Sequence, residues 1–287
     1  MTTTKDLTIE IPKEKRHIKA RLGHSGNPYS SPEQLIIIAA GLHSHMDKES
    51  QKKVAQSYQQ AGFATLQFNF AGHGQDQNKS DGSVKDVTLS SGIQDLKTIW
   101  DYAKTQLPKN INTNHTVISA NSYGALISLL ALERNLISPE SMVLVAPFLM
   151  DKFKKLTIPL WLLNKLMPAQ ITQILKLPVS SNMVVDFLEN HTHDMEKKDL
   201  LGSTAVHFFV GSDDKISSPG GIQKWCQKFN RNQNPNVNFV DNIQAHYKEY
   251  PGVRHFSIPK EIHQDIMTRA VKFIHQTHAL RLKENQR

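Results

Sequence analysis

Three side chains that can activate one another stand far apart in this sequence: Ser122, Asp214 and His255. A serine hydroxyl is a weak nucleophile at neutral pH. It becomes reactive when an imidazole within hydrogen-bond reach takes its proton, and that imidazole needs a carboxylate to fix its tautomer and stabilise its cation. Ser122 sits in Thr116-Val117-Ile118-Ser119-Ala120-Asn121-Ser122-Tyr123-Gly124-Ala125-Leu126. A β-branched run enters a small-x-Ser-x-Gly turn and a helix-forming run leaves it. This is the pattern of a nucleophile elbow, which lifts one hydroxyl clear of a sheet. Ala120 and Gly124 supply the small residues where strand and helix backbones crowd together. The motif is short, so its weight depends on partners in the right order.

The acid is expected in Phe208-Phe209-Val210-Gly211-Ser212-Asp213-Asp214-Lys215-Ile216, where a buried strand ends in carboxylates. Functional groups of open α/β sheets lie beyond the carboxyl ends of strands. Asp214 is the expected partner and Asp213 the alternative. The base is expected at His255, after the last strand and before the final helix. The chain has 14 histidines, and position singles this one out, because Ser122, Asp214, His255 follow the hydrolase order of nucleophile, acid, histidine.

A tetrahedral oxyanion needs two backbone N–H donors. One is expected from Tyr123, directly after the serine, and one from Leu42 in Ala40-Gly41-Leu42-His43-Ser44-His45-Met46-Asp47, where Gly41 leaves room for the substrate. His43 and His45, with Asp47 nearby, invite a metal reading, but the pattern identifies no clear third ligand to complete a site, and neither metal nor cofactor is expected. His73, in Phe70-Ala71-Gly72-His73-Gly74, is expected to shape the loop beside the site.

These residues need a scaffold, and the hydrophobic pattern supplies one. Leu35 to Ala40 is a continuous apolar run, as in a strand buried on both faces. A helix over 49–61 ends at Gly62, and a strand spans Phe63 to Phe70. Residues 91–106 carry Ile93, Leu96, Trp100 and Ala103 on one helical stripe. A strand 116–120, a helix 123–134, a strand 141–146, a strand 204–210 and a helix capped by Ser218 follow. Residues 231–243 read as a loop, 245–250 as the last strand and 259–280 as the final helix. Residues 6–11 and 16–22 read as an antiparallel edge pair. The alternation predicts a mostly parallel sheet with helices on both faces. It breaks over 148–202, where apolar segments cut by Pro159, Pro168 and Pro178 predict a helical cap lining an acyl pocket. The expected organisation is a core of 1–147 and 203–287 with that insertion.

With 287 residues, 39% hydrophobic and 21% charged, the chain has the composition of a globular enzyme-sized domain. Its N-terminus shows no secretory pattern and no apolar run reaches bilayer length, so a cytoplasmic setting is expected. The lone Cys226 excludes an internal disulfide and a cysteine-built zinc site. The net charge of +8 comes with no nucleic-acid-binding motif. It suits a solvated basic surface, or attraction to an acidic carrier protein, an anionic membrane surface or an anionic substrate.

The loop Ala40-Gly41-Leu42 with Met46-Asp47, the block Phe68-Asn69-Phe70-Ala71-Gly72-His73-Gly74, the elbow, Gly211-Ser212-Asp213-Asp214 and His255-Phe256 together resemble the α/β-hydrolase superfamily over almost the whole chain. Within it the chain is similar to the branch of monoacylglycerol lipases, lysophospholipases and feruloyl esterases. Its first half is also similar to bacterial acyl-carrier-protein thioesterases. The resemblance implies a cofactor-free Ser-His-Asp hydrolase working through an acyl-enzyme on a carboxylic ester. It also leaves room for a carrier-bound thioester, or for a hydrolase scaffold that only binds. Two departures, Ala40-Gly41 for His-Gly and Ala120 for Gly, lean towards the thioesterase side.

Overall fold

The computed structural model describes residues 3–12, 14–24, 32–147, 182, 183, 186, 201, 203–217, 219–231, 245–255, 257–284 and 286. In chain order the elements are β1 (Thr3–Ile11), β2 (Arg16–His24), β3 (Glu33–Ala39), α1 (Glu49–Gln60), β4 (Ala64–Phe68), α2 (Leu89–Gln106), β5 (Ile111–Asn121), α3 (Tyr123–Glu133), β6 (Ser141–Val145), β7 (Ala205–Gly211), α4 (Pro219–Arg231), β8 (Ala245–Tyr250) and α5 (Lys260–Glu284). Eight strands form one sheet in the order β1-β2-β4-β3-β5-β6-β7-β8. β1, β2 and β4 pair antiparallel, and every pair from β4 to β8 is parallel. The chain therefore has the mostly parallel sheet with flanking helices that the alternation predicts, in keeping with the α/β-hydrolase fold that the resemblance implies.

Apolar side chains alternate along the strands to serve two separate cores. One face packs Leu35, Ile37, Ile118, Leu144 and Phe208 against α2, α3 and α4. The other packs Ile36, Ile38, Val117, Val143 and Phe209 against α1 and α5. α3 is buried from Tyr123 to Leu132, as a helix that is apolar all round must be. The stripe Ile93, Leu96, Trp100, Ala103 of α2 is buried as its spacing predicts. Thr88 caps that helix through a reciprocal pair with Ser91. Gly62, at φ 90°, takes the left-handed position that ends α1. On α5, Ile266, Ala270 and Ile274 are buried along one face.

The main correction concerns β5, which begins at Ile111 rather than 116. Its first half, Asn112 to His115, is polar and lies outside the apolar pattern, yet Ile111 and Asn112 pair with Glu33 and Gln34 of β3 before the register shifts ahead of Val117. Backbone pairing, which leaves no side-chain signature, extends the strand there. The predicted cap over 148–202, the Ser218 cap and the loop over 231–243 lie outside the described residues, save Arg231, which ends α4 instead, and four in the cap segment. Of those, Met183 and Leu201 are buried against the first core, and the Asp186 carboxylate accepts from the Ser90 N–H at 2.8 Å and its hydroxyl at 2.7 Å. Among the described residues, no helix is long and apolar enough to cross a membrane.

Candidate active site

No loop separates β5 from α3. The chain turns within Ser122, at φ 50° and ψ −114°, a region that non-glycine residues rarely occupy. Two contacts hold this turn. The Ser122 N–H donates to Val145 O at 3.0 Å. Gly124 lies so close to β3 that a Cβ there would stand 2.2 Å from Ala39 O. The side chain of Tyr123 points away from the site into the first core, where its hydroxyl donates to Thr88 O at 2.7 Å. Its backbone N–H, at the first helical position, has no intrahelical acceptor.

The structure brings Ser122, His255 and Asp214 together. Ser122 Oγ lies 2.7 Å from His255 Nε2, and His255 Nδ1 lies 2.8 Å from Asp214 Oδ2. The histidine side chain is 5% exposed and the carboxylate 1%. The return of the chain to this rim depends on Gly211, where a Cβ would meet Val253 O at 2.1 Å. The Asp213 N–H donates to Val253 O at 3.1 Å, which docks the segment carrying His255. Asp213 itself turns outward and accepts from Ser212 Oγ at 2.9 Å, so of the two expected carboxylates only Asp214 faces the imidazole.

Asp214 Oδ1 accepts from the N–H groups of Ile216 at 2.9 Å and Ser217 at 2.8 Å. Burial works to raise the acid's pKa, but hydrogen bonds from His255 and Ser217 outweigh it and hold the group below its ordinary 3.8. The carboxylate is therefore anionic at neutral pH, as an orienting partner must be. Ser217 Oγ also stands 3.1 Å from His255 Nδ1. The sequence reading missed this residue; its signal was only a hydroxyl two residues before Pro219.

Leu42 lines the same cavity as Ser122, Tyr123 follows the serine directly, and among the described residues no group accepts from either backbone N–H. The loop that carries Leu42 is held from behind. His73 Nε2 accepts from the His43 N–H at 3.1 Å, so the ring proton is on Nδ1, which donates to Ala71 O at 2.8 Å. Burial lowers the His73 pKa from 6.5 and keeps the ring neutral for this double role. Asn69 Oδ1 accepts from the Met46 N–H at 2.8 Å, and Asp47 accepts from Arg21 at 2.9 Å and Asn78 at 3.1 Å. His43, His45 and Asp47 form no metal-ligating cluster; the only such group among the described residues lies elsewhere.

Ser122 and His255 open on a cavity of about 370 Å³, towards the small end of the range of small-molecule pockets, about 300–1,000 Å³. It descends between α1 and α5 against the second core, with Val54, Val143, Ile258 and Met267 among its walls. Tyr58 and Ser119 also line it; the Tyr58 hydroxyl, its pKa pushed up to about 12 by burial, donates to Ser119 Oγ at 3.0 Å. Lys48, Gln51 and Asn121 add polar groups. Such a site can hold an apolar group beside a hydroxyl that is hydrogen-bonded to an imidazole.

The sequence matches the family described as serine aminopeptidase, S33, over residues 30–200. No curated protein matches it. Among solved structures it is similar to the Est1E protein of Butyrivibrio proteoclasticus with ferulic acid bound, at 18% identity and a TM-score of 0.66, covering 95% of this chain and 99% of that one. A lipase in its open form is similar at 16% identity and a TM-score of 0.73, with 96% and 99% covered. The monoacylglycerol lipase of Paleococcus ferrophilus is similar at 16% identity and a TM-score of 0.63, with 91% and 99% covered.

Proposed function

The chain belongs to the serine aminopeptidase, S33, family of α/β-hydrolases, and we propose that within it this protein hydrolyses carboxylic esters through a covalent acyl-enzyme on Ser122. The observation that carries the reading is the unbroken chain of hydrogen bonds from the Ser122 hydroxyl through His255 to Asp214 at the mouth of a cavity. Ser122 Oγ bonds to the acyl carbon while its proton passes to His255 Nε2. The carbonyl electron pair moves onto oxygen, where the N–H groups of Leu42 and Tyr123 receive it. Collapse expels the leaving oxygen, which takes the proton from His255. Water then gives a proton to His255 and adds to the acyl carbon. The second collapse frees the acid and returns the proton to Ser122.

The lining favours an ester over a peptide. Among the described residues no carboxylate lines the cavity, and Lys48 is its one permanent cation. A substrate's α-ammonium group would find no counter-charge there. The apolar walls suit a medium or longer acyl chain. A series of p-nitrophenyl esters tests this: kcat/KM is expected to rise from acetate to octanoate, and a strong preference for acetate would contradict the chain-length reading.

A second reading, hydrolysis or transfer of an acyl thioester from an acidic carrier, draws on Lys48 and Lys52, both exposed at the start of α1 beside the cavity. Turnover of acyl-thioesters against matched oxygen esters separates the two, and a higher kcat/KM for the thioester would favour the carrier.

A further inference from the structure

At the opposite end of β5 from Ser122, three side chains from separate elements converge. His115 comes from the first half of β5, Glu140 immediately precedes β6, and His278 lies near the end of α5. Their ligand atoms all lie within 4.8 Å of one another. His115 Nδ1 stands 2.9 Å and His278 Nδ1 3.1 Å from the same oxygen, Oε1 of Glu140. We propose that His115, Glu140 and His278 form a binding site for one divalent transition-metal ion, with zinc the best fit.

The donor set is two imidazoles and one carboxylate, which suits Zn²⁺ with a water as fourth ligand. Bonds of about 2.0–2.1 Å in a tetrahedron place ligand atoms about 3.3 Å apart. The two nitrogen–oxygen distances already present fall a few tenths of an ångström short of that, so small side-chain rotations admit the ion. Each ring then offers its Nδ1 lone pair and carries its proton on Nε2.

The carboxylate is held as metal-ligating carboxylates usually are, by a hydrogen bond to its other oxygen. Gln34 Nε2 donates to Glu140 Oε2 at 2.7 Å and to His115 O at 2.7 Å. The main chain of Glu140 is pinned on both sides, its N–H donating to Thr116 O at 2.9 Å and its carbonyl accepting from the Ala205 N–H at 3.2 Å. The carboxylate is 5% exposed, and the two rings are 25% and 27% exposed, so an ion can enter from solvent on the histidine side.

Ser122 lies seven residues beyond His115 along the chain, about 23 Å away at about 3.3 Å per residue. The ion therefore takes no part in acyl chemistry. It would tie the last turns of α5, which carry His278, to the amino ends of β5 and β6, and stabilise the folded chain by mass action.

The full-length protein, stripped with a chelator, is titrated with zinc chloride by calorimetry and melted with and without the metal. One zinc per chain is expected, with saturable binding and a Tm that rises with zinc. Cobalt substitution is expected to give the intense visible bands of a tetrahedral site. His115→Ala with His278→Ala should weaken zinc binding at least tenfold and abolish the rise in Tm. His278→Gln, which keeps a hydrogen-bond donor for Glu140 but no imidazole, should do the same if the double variant folds poorly. Ser122→Ala should bind zinc as the parent does. No saturable binding at micromolar zinc, or unchanged binding in the His278→Gln protein, overturns the proposal.

Discussion

A histidine–carboxylate pairing lies beside Ser122, where β5 ends, and another beside His115, earlier on the same strand, and the two differ in how they are built. At the carboxyl end His255 faces one carboxylate on one side and a hydroxyl on the other. At the amino end two imidazoles share one carboxylate oxygen, and among the described residues no hydroxyl or thiol completes a relay. The first is built on strain: Ser122 at φ 50°, Ala146 at φ 45° and glycines 124 and 211 that admit no side chain. The second has no such backbone: His115 and His278 are absent from the residues with positive φ, although β5 changes register against β3 across His115. Strain costs on the order of 1–3 kcal/mol per residue and persists where function keeps it. A pairing without strain can be held by local hydrogen bonds alone.

The sharpest way to break this contrast is at the hydroxyl. Ser122→Ala is expected to lower kcat by about 10⁶-fold, the scale of removing a serine nucleophile in another hydrolase, with zinc binding at the far end unchanged. A loss under about tenfold would show that the strained end is inert. Asp214→Asn should cost about 10⁴-fold, as loss of the orienting carboxylate does in a serine protease. It should also lower Tm, because an amide cannot accept as well from His255, Ile216 and Ser217 at once.

A smaller loss is expected from the loop behind the site. His73→Ala frees the His43 N–H and so the segment bearing Leu42. Displacement of a catalytic group by about 1 Å can cost about 10²-fold, so a fall in kcat of about ten- to a hundredfold is expected, with KM moving less. A KM-only effect would place His73 in substrate binding instead.

The smallest effect is a pH dependence of stability. Burial holds the folded His73 below its ordinary pKa of 6.5. Between those two values the unfolded chain binds more protons, so stability rises with pH across the window and is lost as pH falls through it. Thermal melts from neutral to mildly acidic pH should show the parent losing stability relative to His73→Gln. Parallel curves would contradict the assignment of a neutral, buried ring.

The carboxyl end was largely legible in the sequence because its requirements are local. A turn that tolerates only small neighbours leaves Ala120 and Gly124 around Ser122. A strand that must end abruptly leaves Gly211 before Asp214. The apolar runs of β3, β6 and β7 mark strands buried on both faces. What stayed hidden depends on convergence. Ser217 is one hydroxyl among many until it lies beside His255. The cavity forms where α1 meets α5, roughly two hundred residues apart, and no periodicity reports that meeting. The amino half of β5 is polar, and in it only Ile111 and Asn112 pair with β3 before the register shifts. His115, Glu140 and His278 share no motif and come together only through the sheet order and the path of α5.

Covalent labelling tests the central claim most directly. The folded protein is treated with a fluorophosphonate, which phosphonylates only an activated serine, and the modified peptide is mapped by mass spectrometry. One adduct on Ser122, absent from Ser122→Ala and nearly absent from His255→Ala, is the expected result. A folded protein that takes no label, or takes it at another serine, would mean that the hydroxyl held 2.7 Å from His255 is a structural contact and that this scaffold binds without cleaving.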